Sequence, residues 1–244
     1  MAESREAPGG RKPWIVYRAV RLLRRLACDE NYRNAALVRL ARPSNLFQPD
    51  NYTEVDRYPE LFALASREIQ DGPGVRILSF GCSTGEEVFA LRRYFPTSNI
   101  KGVDINAHNI AVCRRAQRQR PDPGISFRVA SSAVGETAGS FDAIFCMAVF
   151  RHGALKSAPP NRCDDHIRFR DFENEVGHLA RCLKSGGILF LDWCAFRFSD
   201  TASYGAFEPI YVAGPAPSPE PIYDRNNLIM PGVVYRDVAF RKVW

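Results

Sequence analysis

No apolar run in this 244-residue chain approaches the roughly 20 residues that a helix needs to cross a bilayer. A soluble, cytoplasmic protein without a transmembrane segment is the expectation. Paired cysteines are missing as well. The seven cysteines form an odd set with no C-x-x-C pair, which is reducing-compartment usage rather than a disulfide framework. Several, such as Cys146, sit in apolar runs, where a thiol behaves as a small hydrophobe. Cys163 and His166 have a ligand-like spacing but no identifiable partners, so no metal site is expected. No internal repeat interrupts the chain, and its 45% hydrophobic content can bury one substantial core. Nothing in the sequence sets an oligomeric state.

What is present begins with Val75–Phe89, VRILSFGCSTGEEVF. Val75, Ile77 and Leu78 have the character of a buried strand. Gly81 and Gly85 permit positive φ and a close approach of ligand to backbone. Ser83–Glu86 and Thr84–Glu87 both have capping-box spacing, which predicts a helix from there to about Tyr94. Such a turn is expected to present backbone N–H groups to a ligand. A dinucleotide fingerprint would place glycine where Ser83 stands, and a pyrophosphate over the helix start. Here Glu86 and Glu87 occupy that start and would repel a diphosphate, so an NAD-dependent oxidoreductase is the weaker reading. A cofactor with adenosine, no phosphate and cationic groups suits the turn: S-adenosylmethionine.

Asn99–Asn106, NIKGVDIN, predicts a second strand ending in Asp104, 19 residues beyond Gly85. An acid at that tip can accept both ribose hydroxyls; alternatively it caps the next helix, near Asn106. Gly124–Ala130 reads as a third strand, which sets Ser131 and Ser132 beside the adenine. Ser140–Phe150, SFDAIFCMAVF, is a nearly continuous apolar strand, as expected of a parallel strand covered on both faces. Arg151 and His152 follow on the carboxyl edge, where open α/β sheets hold their chemistry.

A polar insertion over 153–171 precedes a helix over roughly Phe172–Leu183. Lys184–Asp192 gives a glycine turn and a fifth strand. Ala213–Pro221 is a proline-rich loop between the last two strands, and Val233–Val243 alternates as a closing antiparallel strand. Strands and helices thus alternate through five strands before the antiparallel end. The fold expected is α/β, a Rossmann-like doubly wound seven-stranded sheet with an antiparallel last strand and N-terminal helices, as in class I methyltransferases. Residues 1–70 read as a helical extension or lid, and 71–244 as the cofactor-binding domain.

The net charge of +6 is concentrated near the N-terminus. Arg11–Leu26, RKPWIVYRAVRLLRRL, reads as a basic amphipathic helix with Trp14, Ile15, Leu22, Leu23 and Leu26 as apolar anchors. Packing on the domain is the first expectation, and a weak contact of residues 11–26 with an anionic surface is the second. A targeting peptide fits least, since Glu3 and Glu6 precede the run.

FGCSTGEEVFAL closely resembles the first motif of the chemotaxis-receptor (CheR-type) methyltransferase family. RYPELFALASREI (Arg57–Ile69) is similar to its segment before the first strand, and GVDIN, SFDAIFC and LKSGGILFL fall where its later strands do. The resemblance spans Ser44–Asp192. It implies that Glu86 meets the methionine ammonium, that Gly81 and Gly85 line the turn, and that Asp104 holds the ribose. Cys82, Ser83, Ile105, Ser131, Ser132 and Met147 complete the expected cofactor contacts, with Tyr52 folding over them from a lid. Met147 and Ala148 stand where the family has an Arg-Asn pair, and its threonine–aromatic–arginine segment is reduced to Ser44–Phe47. The reading is therefore a divergent methyltransferase acting on an oxygen or nitrogen of a small molecule or peptide. Protein-glutamate O-methylation of the chemotaxis type and a catalytically silent nucleoside-binding scaffold are the alternatives. His152 is the candidate general base, since a neutral imidazole takes a proton near pH 7; alternatively it orders its loop. Asp164, Asp165 and His166 are candidates for shaping the acceptor pocket.

Overall fold

The computed structural model describes residues 13–41, 45–48, 56–214 and 221–244. Five parallel strands form its centre: β1 Arg76–Phe80, β2 Asn99–Asp104, β3 Ile125–Val129, β4 Phe141–Met147 and β5 Leu183–Asp192. With β6 Phe207–Val212 and β7 Asp237–Lys242 they make a seven-stranded sheet of order β3-β2-β1-β4-β5-β7-β6. β7 runs antiparallel to both of its neighbours. The chain leaves β1 for β2 on one side and later returns to β4 on the other. Their carboxyl ends therefore diverge and leave a crevice at the switch point.

The central strands read as unbroken apolar runs because both faces of the sheet are covered. Leu78, Ile144 and Leu189 point into one core, against Phe172, Val176 and Leu179 of the helix α7 (Phe169–Cys182). Ile77, Phe145 and Phe190 point into the other core. There they meet three helices: α3 Pro59–Glu68, α4 Glu86–Tyr94 and α5 Ala107–Gln119. Phe145 and Phe190 are register partners, and their rings stack with centroids 4.3 Å apart. Because α3 buries Leu61, Phe62, Leu64 and Ala65 in this core, the packed unit reaches back to Pro59.

Several expectations are corrected. Residues 130–140 cross from β3 to β4 without a helix. The backbone of this crossover is satisfied from α7 instead. Buried Glu175 accepts the Ala133 N–H at 2.6 Å, and the Arg181 guanidinium donates to the carbonyls of Val134 and Glu136 at 2.9 and 3.0 Å. The capping boxes do not form either. Gly85, in the left-handed region at φ 99°, is the N-cap of α4, with no side-chain cap. The Thr84 hydroxyl is drawn to the Glu86 carboxylate at 2.7 Å. The closing strand is shorter than the alternation suggested, and α7 begins at Phe169 rather than Phe172.

The insertion after β4 holds a short helix, α6 Ala154–Ser157, and is tied down by the segment before β7. Asn227 accepts the Cys163 N–H on its carbonyl at 3.1 Å and the Phe169 N–H on its side chain at 2.7 Å. At the other end, α1 Pro13–Cys28 packs along α2 Glu30–Ala41. Trp14, Leu22 and Leu23 remain 52, 47 and 65% exposed, so these anchors of the basic helix are not covered by the sheet domain as expected.

Candidate active site

A cavity of about 630 Å³ lies over the carboxyl ends of β1, β2 and β4. Its walls come from the β1–α4 turn, the tips of β2 and β3, the segment after β4, Trp193 after β5, Val38 of α2, residues 45–48 and Arg57. Backbone strain is concentrated here. Six non-glycine residues among those described have positive φ, and Asn45, Ser83, Ala148 and Trp193 of them line the cavity. Left-handed backbone at such residues is uncommon and persists where packing over-determines it.

The β1–α4 turn is folded onto β2. Gly81 and Cys82 donate their N–H groups to the Val103 carbonyl at 2.7 and 2.9 Å, and Gly85 donates to the Cys82 carbonyl at 3.0 Å. Ser83 donates to Asp104 Oδ2 at 2.8 Å. These four amides are used within the protein, so they do not form the ligand cradle expected from the sequence. A phosphate at the start of α4 would also meet two acids, since Glu86 and Glu87 occupy the first turn. Gly81 is fixed by space as well as by its φ of 79°, because a Cβ there would sit 2.4 Å from Val149 Cγ2.

Asp104 is buried at the tip of β2 and lines the cavity. Oδ1 accepts the Asn106 N–H at 2.8 Å and Asn109 Nδ2 at 3.1 Å, while Oδ2 accepts Ser83 alone. Burial raises its pKa, against the pull of these hydrogen bonds. Oδ2 keeps acceptor capacity for one further donor, where the sequence suggested a pair. The helix α5 is capped by Asn106, whose side chain accepts the His108 N–H at 3.0 Å.

The opposite end is cationic. The Arg57 guanidinium lies 5.4 Å from the Trp193 ring centre, and Arg151 lies at the same distance from that ring. Lys156 of α6 also reaches the cavity. Two carboxylates answer Arg57 from below. Burial pushes Glu87 up to about 7, against its hydrogen bond from the Ser79 hydroxyl and the charge of Arg57. Burial likewise raises Asp192, against the Trp193 N–H and Arg57. The buried Tyr58 hydroxyl has no hydrogen-bond partner among the described residues, and its pKa is raised, mainly by desolvation.

Of the residues singled out from sequence, Gly81, Ser83, Asp104, Ile105, Ser131 and Met147 are brought together on this cavity. Cys82, Gly85, Glu86 and Ser132 are not on its wall. Cys82 is buried beneath the turn, and Ser132 meets His178 Nδ1 at 3.2 Å. His152 stands off the wall too. Its ring stacks on His166 with centroids 4.8 Å apart, and its Nδ1 accepts the Ala154 N–H at 3.3 Å. Tyr52 lies outside the described residues. Sequence reasoning passed over Arg57, Lys156 and Trp193. Trp193 had a usable signal, since it directly follows a strand on the carboxyl edge.

Sheet order, switch-point cavity and the acid on β2 together define a class I methyltransferase fold. Residues 78–191, just under half of the chain, match the family described as a methyltransferase domain. That region is similar to methyltransferase domains. An uncharacterized protein of Synechococcus is 29% identical over 59% of this chain and 31% of its own length. A trans-aconitate 2-methyltransferase of Deinococcus radiodurans is 26% identical over 59% of this chain and 47% of its own. The chain spans less than half the length of either relative.

Among solved structures, the YcgJ protein of Bacillus subtilis shares 20% identity over 55% of this chain and 50% of that one, with a TM-score of 0.42. A Haemonchus contortus phosphoethanolamine N-methyltransferase 2 in complex with S-adenosyl-L-methionine shares 19% over 69 and 34%, at 0.44. Likenesses with TM-scores this low say nothing about what this chain binds. The family match is to a methyltransferase domain, and the chemotaxis-receptor resemblance is not supported.

Proposed function

We propose that this chain transfers a methyl group from S-adenosylmethionine to an oxygen or nitrogen of a small molecule. The observation that carries this reading is the switch-point cavity, with Asp104 on its wall beside a turn that bonds the amides of Gly81, Cys82, Ser83 and Gly85 within the protein. Asp104 Oδ2 would accept a ribose hydroxyl, Ile105 and Ser131 would flank the adenine, and Gly81, Ser83 and Met147 would border the remainder. When bound, the cofactor supplies an electrophilic methyl on a sulfonium whose departure needs no acid. The protein's own work is binding and alignment. A base is required only for an acceptor that must lose a proton, and His152, off the cavity wall, is assigned no proton step.

Val38, Asn45, Phe47, Gln48 and Arg57 on the wall support a cover over the site by residues that precede α3, while α3 itself belongs to the packed unit. Free cysteines fit a cytoplasmic setting. A second reading, a silent nucleoside-binding scaffold, is favoured by the exposed apolar residues of α1. Turnover separates the two, because a scaffold would bind the cofactor and methylate nothing in a broad acceptor screen.

The direct test is calorimetric titration with S-adenosylmethionine and S-adenosylhomocysteine. Micromolar-range binding is expected, with Asp104→Ala abolishing it and the milder Asp104→Asn weakening it at least tenfold, each variant checked for a native melting transition. No heat and no thermal shift with either compound would refute the proposal.

A further inference from the structure

We infer that Asn45 reads the base of the cofactor: its side-chain carbonyl accepts the exocyclic amine of adenine, and Glu175 of α7 is the positioning residue that turns the carboxamide that way. This role rests on the methyltransferase reading above and adds a specificity-determining pair from outside the β1–β2 crossover. Asn45 lines the cavity together with Phe47, Ile105, Ala130 and Ser131. Its φ is 64°, a left-handed conformation that Asn adopts more readily than most residues. Two residues on, Phe47 is 4% exposed and sets its ring edge-on against Phe150, with centroids 4.8 Å apart. Asn45 Nδ2 lies 3.3 Å from Glu175 Oε2, across 130 residues of sequence. This short segment is therefore pinned to the α7 side of the sheet at two points.

Glu175 is fully buried, and its Oε1 accepts the Ala133 N–H at 2.6 Å. Ala133 follows Ser131 by two residues, so one carboxylate joins the segment after β3 to Asn45 and sets the carboxamide beside the place assigned to the adenine. His178 Nδ1, 3.4 Å from Glu175 Oε2, and the Ser132 hydroxyl, 3.2 Å from that nitrogen, complete the cluster. A carboxylate accepts hydrogen bonds and cannot donate them, whereas a carboxamide does both. Asn45 therefore turns its NH2 toward Glu175, and Oδ1, which no described residue bonds, is left as an acceptor for a ligand. Adenine offers a matching donor, its exocyclic amine. Ser131 on the wall cannot make this choice, because a hydroxyl donates as readily as it accepts. A carboxamide held in one sense can tell an amine from a carbonyl.

The test titrates the full chain with S-adenosylhomocysteine and with S-inosylhomocysteine, whose base carries a carbonyl oxygen in place of the amine. The wild type binds the adenine compound about 10- to 100-fold more tightly, as for a polar group left unpaired on burial. Asn45→Gly, which accepts this φ without strain, brings the ratio of the two affinities below about threefold. In Glu175→Gln the new carbonyl keeps the Ala133 N–H and the new NH2 faces Asn45. The Asn45 carboxamide then turns over and offers Nδ2 to the base, so the ratio falls to about one or inverts. A purely structural role for Glu175 would weaken both compounds alike and leave the ratio at its wild-type value, which would overturn the positioning role. If Glu175→Gln does not fold, Asn45→Gly decides alone. A wild-type ratio below about threefold, or an Asn45→Gly ratio equal to that of the wild type, would overturn the reading of the base by Asn45. Failure of the wild type to bind either compound would instead remove the methyltransferase reading itself.

Discussion

Gly81→Ala tests whether the turn under the cavity is set by space or only by backbone conformation. The wild-type residue has φ 79°, and an added Cβ would meet Val149 Cγ2 at 2.4 Å and Val149 Cβ at 3.6 Å. A left-handed alanine costs about 1–2 kcal/mol. Overpacking against a neighbour that cannot move freely adds about 1–3 kcal/mol, so the total is roughly 2–5 kcal/mol. Val149 belongs to the segment after β4 and packs against the core under α7, which limits how far it can retreat. Val149→Ala removes the clashing methyls and leaves the φ penalty in place. Urea unfolding of the wild type, both single variants and the double variant gives the coupling energy. The double variant should recover about 1–3 kcal/mol relative to additivity. Additivity within about 0.5 kcal/mol would refute the steric argument and leave conformation alone as the reason for glycine.

Three further outcomes follow from the same geometry. Glu87 is raised from 4.5 to about 7, so the folded state favours its neutral form. Its contribution is fully present below about pH 4.5 and is lost as pH rises through 7, a swing of roughly 3 kcal/mol. Glu87→Gln should flatten the urea midpoint between pH 5 and 7.5, and an unchanged slope would show that Glu87 ionises freely in the fold. His152→Ala should leave S-adenosylhomocysteine affinity within twofold and turnover within a few-fold; a loss of turnover by a hundredfold or more would restore His152 as the base. For α1, with Arg18, Arg21, Arg24 and Arg25 beside exposed Trp14 and Leu23, cosedimentation should show binding to phosphatidylserine vesicles and not to phosphatidylcholine vesicles, with the binding weakened by salt. Equal binding to both would remove the anionic-surface reading.

The strand pattern was legible because it is local. Ile77, Leu78 and Phe80, or Phe141–Met147, announce buried parallel strands by composition alone, and Asp104 follows from spacing along one β-α-β unit. The missing helix between β3 and β4 was not legible. Its loop is held by Glu175 and Arg181, about 45 residues away in sequence, and no local periodicity records such a partnership. The capping boxes failed for a related reason. Ser83 and Thr84 had local signals for capping, but Asp104 took the Ser83 amide and Glu86 took the Thr84 hydroxyl.

The residues lining the cavity differ in the same respect. Gly81, Ser83, Asp104 and Ile105 come from one contiguous crossover, so a single sequence can propose them. Arg57, Arg151, Lys156 and Trp193 come from three separate segments, and the sheet's carboxyl edge brings them together. Each looks like an ordinary exposed residue when read alone. The pairing of β4 with β5 brings Arg151 to Trp193, and Arg57 reaches the same ring from the segment before α3. A Trp193→Ala variant should disturb the arginine arrangement while keeping S-adenosylhomocysteine affinity. If that affinity fell as well, the two groups of residues would be one site, and the separation argued from their segment origins would be wrong.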